Sequence, residues 1–362
     1  MTEPAAFEPD WFSPPGHTIA AKLRKSGISV DSFAWEMDLA SPDANRLLDG
    51  ELEINDQIAL KLGQVLGGSQ DFWIRREAQY RGDIGRLAAG IDQQQAKEWL
   101  RLLPLKDMTD RGWIKAQEGV LEKLTECMRF FDVCSIDAFD ARSEKVVSQV
   151  KFRTSEKLKS APHSLAAWLR FGEIQAGRVQ CEPWSLEKFC SLIPEMRKLT
   201  RVRDTEKFLP KLASMCQSAG VALVICKTPK GCRASGATKF LSDDKAMLLL
   251  SFRHLSDDHF WFSFFHECGH LILHGKDKVF VEGEEAESEQ HEKEANLFAE
   301  DILIPDPWKK LLTVLPMNQK SIQRFAVRVG VSAGIIVGQL EHSGRVRHGY
   351  LGYLKRRYRW AD

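Results

Sequence analysis

Five consecutive residues, His266, Glu267, Cys268, Gly269 and His270, carry the spacing in this 362-residue chain that most directly implies chemistry. In a helix, residues four apart share a face, so the two imidazoles of this HExxH motif can point at one metal ion. Glu267 falls beside that face, placed to take a proton from a metal-held water. The motif lies inside the apolar run FWFSFFHECGHLILHG. A helix with Phe260, Trp261, Phe262, Phe264, Phe265, Leu271, Ile272 and Leu273 on nearly all sides is predicted to be buried. Two imidazoles and a carboxylate are costly in such a helix unless something satisfies them, and a zinc ion satisfies all three. Cys268, at a variable position of the motif, reads as a small buried filler. His274 extends the histidine face by a turn and reads as a packing residue or a partner of a ligand. His254 and His259, near the start of the same helix, are candidates to assist a reacting carbonyl.

A catalytic zinc generally keeps three protein ligands and one open position. The downstream segment HEKEANLFAEDILIP reads as a second helix and should supply the third ligand, from His291, Glu292 or Glu294. Glu292 and Glu294 lie about 200° apart around a helix, so they cannot both face the metal. The apolar stripe Ala295, Phe298, Ala299, Ile302 leans slightly towards His291 and leaves the two glutamates open. Small residues at 295 and 299 allow this helix to approach the first one closely. Ser256 with Asp257 and Asp258 marks the start of the first helix, negative residues sitting at the positive end of its dipole. Gly275 ends that helix, and an acidic loop from Glu282 to Glu289 leads into the second. Upstream, the apolar runs Gly220 to Cys226 and Ala246 to Phe252 read as strands.

The remainder of the chain bounds the setting. With 43% hydrophobic and 28% charged residues and a net charge of +1, the composition is that of a soluble globular protein with room for two or three domains. No basic start followed by an apolar core opens the chain, and no apolar run reaches the length that spans a bilayer. Eight scattered cysteines without CxxC pairs fit reduced thiols in a cytosol rather than a disulfide framework. Charge is unevenly spread: residues 1–84 balance to −6 and residues 319–362 to +7.

Near the N-terminus, helices are expected over Thr18 to Lys25, Val30 to Met37, Pro42 to Leu48 and Asp56 to Leu66, with Ser41 as a cap and Gly50 as a stop. Two short helices joined by a tight turn outline a helix-turn-helix. Residues 85–210 read as mostly helical, with Trp99, Trp113, Phe130, Phe131 and Trp168 as core and the basic stretch Lys151 to Lys159 as a solvated connector. Ser321 to Leu340 again has the pattern helix, glycine turn, helix. It is followed by Arg345, Arg347, Lys355, Arg356, Arg357 and Arg359 interleaved with Tyr350, Tyr353, Tyr358 and Trp360. Such a mix suits nucleic acid, an acidic surface, or aromatics packed on the neighbouring domain.

Two stretches resemble known families. The strings PPGHTIAAKL, SGISVDSFAWEMDLA, NRLLDGELEINDQIALKLGQVLG and SQDFWIRREAQY, over roughly residues 14–82, resemble the HigA-type antitoxin branch of the Xre-like helix-turn-helix family. In that family the helix after the turn enters the major groove, which implies Pro42 to Leu48 here, with Asn45 and Arg46 as the DNA-contacting residues. Asp43, Asp49 and Glu51 surround them and oppose phosphate contact, so docking of a protein is the alternative role. The string RASGATKFLSDDKAMLLLSFRHLSDDHFWFSFFHECGHLILH with EKEANLFAEDILIP, over roughly 211–340, resembles the ImmA/IrrE metallopeptidases. That resemblance implies Zn2+ as cofactor, His266, His270 and Glu292 as its ligands and Glu267 as the catalytic general base.

The expected fold is therefore α+β. A helix-turn-helix bundle occupies 1–84 and a helical connecting region 85–210. A zincin-like domain over 211–318 packs a small sheet against the HExxH helix, and a basic helical element occupies 319–362. The implied function is a cytoplasmic zinc endopeptidase cutting a protein regulator such as a helix-turn-helix repressor. The alternatives are a DNA-binding regulator or antitoxin whose metal domain is sensory or structural, and a scaffold whose acidic module grips a toxin.

Overall fold

The computed structural model describes residues 13–150, 161–275, 279–281 and 289–360. The connector at Lys151 to Lys159 and the acidic loop from Glu282 up to residue 288 lie outside the described residues. Architecture is α+β: mostly helices, with one four-stranded sheet towards the C-terminus. The chain divides into two compact units, residues 1–142 and 143–362. Among the described residues no helix is long and apolar enough to cross a membrane.

Among the described residues, the regular elements of the first unit are all helices. The unit opens with α1 (Pro15–Ser26), α2 (Val30–Glu36), α3 (Ser41–Leu48), α4 (Asp56–Leu66) and α5 (Gln70–Ala89). Side-chain caps set three of the starts: Ser29, Asn55 and Ser69 accept from the backbone N–H groups of Ser32, Ile58 and Phe72. Helix α3 departs from the expected cap. Ala40 is its N-cap, and Ser41 stands inside the first turn, its hydroxyl donating to Asp31 at 2.9 Å. The α2–α3 turn passes through Asp38 in the left-handed region, a conformation that aspartate tolerates better than most residues. Gly16 is required where α1 crosses α3, because a Cβ there would lie 1.8 Å from the Leu48 carbonyl oxygen. Ile19, Phe33, Leu47, Leu62 and Trp73 are fully buried between these helices. Each such side chain contributes about 1.5–3 kcal/mol on burial.

The same unit continues with α6 (Gln93–Leu102), α7 (Leu105–Asp110) and α8 (Val120–Phe131), and α9 (Ile136–Val150) begins within it. Trp99, Trp113, Phe130 and Phe131 are core residues, as expected. Phe139 closes the cluster edge-on, its ring centroid 5.1 Å from Trp99 and 4.7 Å from Phe131.

The second unit contains α10 (Pro162–Arg178), α11 (Leu186–Lys198), α12 (Thr205–Ser218), β1 (Val221–Ile225), β2 (Gly236–Ser242), β3 (Lys245–Leu250) and α13 (Asp257–Leu273). After these come β4 (Val279–Val281), α14 (Glu289–Leu303), α15 (Trp308–Leu312), α16 (Gln319–Val329) and α17 (Ala333–His342). Sheet order is β1-β3-β2-β4, with β1 parallel to β3 and the other pairs antiparallel. Central strand β3 is buried on both faces, which explains its unbroken apolar run. Ala246, Leu248 and Leu250 join the core around α13, while Gly172 of α10 meets Met247 and Leu249 on the other face. Strands β1 and β3 match the two expected apolar runs; β2 and β4 are additional strands that the sequence pattern does not mark.

Helix α13 is buried along most of its length, with Trp261, Phe264, Phe265 and Cys268 fully enclosed. Helix α17 also forms part of this core through Ile335, Ile336, Val337 and Leu340. The helix, glycine turn, helix pattern at 321–340 is present, but its second helix is a wall of the core and not an exposed reading helix.

Candidate metal centre

Helices α13 and α14 lie close because small residues face each other. A Cβ on Gly269 would fall 3.1 Å from the Cα of Ala295, and Ala295 and Ala299 are fully buried. This approach brings His266, His270 and Glu292 together: one ligand atom from each lies within 4.8 Å of the others. The two Nε2 atoms are 2.9 Å apart, and the Glu292 carboxylate stands 3.4 Å from His266 and 3.2 Å from His270. Both imidazoles are almost inaccessible, whereas Glu292 retains 22% of its side-chain exposure. Of the three third-ligand candidates, Glu292 is the one this geometry joins to the histidines. Glu294 turns to His274 at 3.0 Å, and the His291 ring packs on His274 with centroids 4.4 Å apart.

The hydrogen-bond partners of the two imidazoles set where their protons sit. His266 Nδ1 is 2.9 Å from the side-chain oxygen of Asn296, an acceptor, so Nδ1 carries the proton and Nε2 a lone pair. Burial drives His270 down to about 4, against the opposing Glu292 carboxylate, so it is neutral at pH 7. Two imidazole lone pairs and a carboxylate facing one point repel one another unless a cation lies between them. Two nitrogens and one carboxylate oxygen are also a set that tetrahedral zinc accepts, with a fourth position left open. The residues present therefore fit a zinc ion.

Glu267 is fully buried and packs on strand β2. A Cβ on Gly236 would lie 2.5 Å from its Oε1, so only glycine leaves room for that carboxylate. Asn296 and Gly236 both stood inside the strings that carried the family resemblance, yet periodicity gave neither a role. Beside Asn296, a cavity of about 300 Å³ is lined by Ser235, His254, His259, Phe262 and His342. His254 and His259 stack with centroids 4.2 Å apart, and His259 is held by Ser256 and Asp258. Burial, then the neighbouring His259, push His254 down to about 4.

The other candidate residues are placed differently. Asn45 donates to the Ser41 carbonyl at 2.9 Å, and Arg46 pairs with Asp43 at 3.0 Å and Glu51 at 3.7 Å. Both are thus engaged with their own helix and its flank. In the basic C-terminal segment, Lys355 is buried, and Arg356 donates to the carbonyls of Thr200, Arg201 and Val202. Tyr358 and Trp360 pack on Phe252, while Tyr350 and Tyr353 are exposed.

The fold joins an N-terminal bundle of short helices, in one unit, with an α+β unit that carries a candidate His/His/Glu metal site. Residues 216–341 match the IrrE N-terminal-like domain. In its N-terminal region the chain is 31% identical, over 86 residues, to an uncharacterized HTH-type transcriptional regulator, YddM, of Escherichia coli (strain K12). That alignment covers 92% of the relative and 22% of this chain. Together the two matches support an architecture that pairs an ImmA/IrrE-type domain with an HTH-type regulator region.

Proposed function

We propose that the chain is a cytoplasmic zinc-dependent regulatory endopeptidase, with a protein regulator, such as a helix-turn-helix repressor, as substrate. The observation that carries this reading is the convergence of His266, His270 and Glu292 beside a buried glutamate. A zinc ion held there would supply Lewis acidity towards water and the scissile carbonyl. His266, His270 and Glu292 would hold that ion. Glu267 takes the proton from the attacking water and passes it to the departing amine. Its fixed position against Gly236 keeps the carboxylate oriented for that transfer. The cavity beside Asn296 supplies a recess for a substrate side chain. Comparing protein N-termini in cells carrying wild type or Glu267→Ala tests this reading. New termini that require Glu267 support it; identical terminal profiles under inducing conditions refute it.

A second reading rests on the similarity to an HTH-type transcriptional regulator. In it the N-terminal bundle binds DNA through Asn45 and Arg46, or grips a basic protein partner such as a toxin, and the metal domain senses. Asp43 and Glu51 beside Arg46 favour a protein partner, because phosphate contact would first have to displace them. A salt-dependent gel shift on the promoter of its own gene, lost in Arg46→Ala, supports DNA binding; no shift at low salt removes it.

A further inference from the structure

A chain of side chains runs outward from His270 to the surface of α14. The Gln290 side-chain amide donates to Glu294 Oε1 at 2.7 Å. Glu294 Oε2 lies 3.0 Å from His274 Nε2, and His274 Nδ1 lies 3.0 Å from His270 Nδ1. The order of protons along this chain is fixed from its outer end. A carboxylate only accepts, so His274 Nε2 carries a proton and donates it. The neutral His274 ring then offers its Nδ1 lone pair inward. His270 must donate into that lone pair through Nδ1, which leaves its Nε2 bare and directed at His266 and Glu292. The reverse order would set an imidazole lone pair against the Glu294 carboxylate at 3.0 Å.

Packing holds the relay in plane. Phe280 of β4 stacks on His270 with centroids 4.2 Å apart and planes 11° from parallel. The His274 side chain is only 2% exposed, while Glu294 at the outer end keeps 43% of its surface. At Nδ1, His266 meets the neutral Asn296 amide instead. Both imidazoles face Glu292 through Nε2, but at Nδ1 His266 meets an amide oxygen whereas His270 meets an imidazole backed by the Glu294 carboxylate.

We propose that Glu294 and His274 are positioning residues that hold His270 as the Nδ1–H tautomer and so present its Nε2 to a metal ion. This inference rests on the reading of His266, His270 and Glu292 as a zinc site. It assigns a role to Glu294, which sequence spacing left as a rival ligand, and to the third histidine of the helix face. Partners of this kind typically carry a 10- to 100-fold share of metal affinity.

The test uses the full chain with 15N-labelled histidine. Imidazole 15N–1H correlation spectra of the metal-free protein read the tautomers, and competition with a chromophoric chelator reads zinc affinity. Wild type should show a proton on His270 Nδ1 and on His274 Nε2. Glu294→Ala, at a half-exposed position, should mix the His270 tautomers and weaken zinc about 10- to 100-fold. Glu294→Gln, which keeps an acceptor oxygen, should retain the wild-type tautomers and most of the affinity. An unchanged His270 tautomer together with unchanged zinc affinity in Glu294→Ala overturns the relay. A lower melting temperature with unaltered tautomers and affinity also overturns it, since that marks a merely structural glutamate. Failure of wild type to take up zinc refutes the zinc site instead, and the tautomer spectra of the metal-free protein tell the two failures apart.

Discussion

Lys355 Nζ lies 2.6 Å from Asp258 at the start of α13 and the same distance from Glu341 at the end of α17. All three side chains are at least nine-tenths buried. Next to them, Asp257 accepts from Ser332 Oγ at 2.7 Å and from the Arg356 backbone N–H at 2.9 Å. Gly334 and Gly338 make room for both aspartates, since a Cβ on either would collide with their side chains. The acidic pair that reads in sequence as a dipole cap is thus a set of anchors tying α17 and the C-terminal segment to the metal-site helix.

Removing the lysine from this network leaves two buried carboxylates facing each other without a cation. Lys355→Met should therefore lower stability by about 3–5 kcal/mol, measured by chemical denaturation. A loss within the range of an exposed ion pair, under about 1 kcal/mol, would show that the network is solvated.

The same three groups set a pH window for stability. Burial raises the Asp258 and Glu341 carboxyls, but hydrogen bonds from His259 and Lys355 to Asp258, and from Lys355 to Glu341, more than offset it and lower both. Their stabilisation is present above the ordinary carboxylate range and lost as pH falls through the lowered folded values. Burial lowers Lys355 while Asp258 and Glu341 raise it further, so its share is present below the ordinary lysine value and lost as pH rises through the raised one. Denaturation midpoints followed across pH should be flat near neutrality and fall at both extremes, and Lys355→Met should flatten the alkaline fall.

In the proposed mechanism Glu267 transfers a proton and does not bind the metal. Glu267→Ala should lower cleavage about 10²–10⁴-fold while zinc content stays at the wild-type level. Loss of zinc in this variant would move the residue into the ligand set; undiminished cleavage by the pure variant would remove it from catalysis.

Gly236 is the test of how closely that carboxylate is held. Gly236→Ala places a methyl group 2.5 Å from Glu267 Oε1, so carboxylate or strand must shift. Cleavage should fall by about 100-fold, the loss typical of misplacement by an ångström, with zinc affinity preserved. Equal loss of affinity and cleavage would show that the shift spreads along α13 to the histidines.

Much of this arrangement was legible because its signals are local. The apolar run around His266 and His270 specifies a buried helix, and Ser256 with Asp257 and Asp258 announces its start, whereas the Ser41 signal was one residue late because Ala40 is the N-cap. Strand β2 was hidden because Gly236, Thr238 and Lys239 dilute its apolar pattern, although Thr238 is buried between two partner strands. Strand β4 spans three residues, too few for any periodicity to register. Pro194 and Pro210 inside α11 and α12 obscured two helices of the region that otherwise read as helical. The choice between Glu292 and Glu294 depends on the rotation of α14 against α13. That rotation is fixed by the Gly269–Ala295 contact, a tertiary relation that spacing within one helix cannot express. The C-terminal cations were read as a surface feature because charge composition says nothing about burial, and Lys355 proved to lie inside.

Metal content is the most direct measurement of the central claim. Elemental mass spectrometry of the purified chain should find about one zinc per wild-type molecule, and Glu292→Ala should lose most of it. A well-folded wild type that holds no metal, even after zinc is added back, would contradict the zinc site and leave the regulator reading in its place.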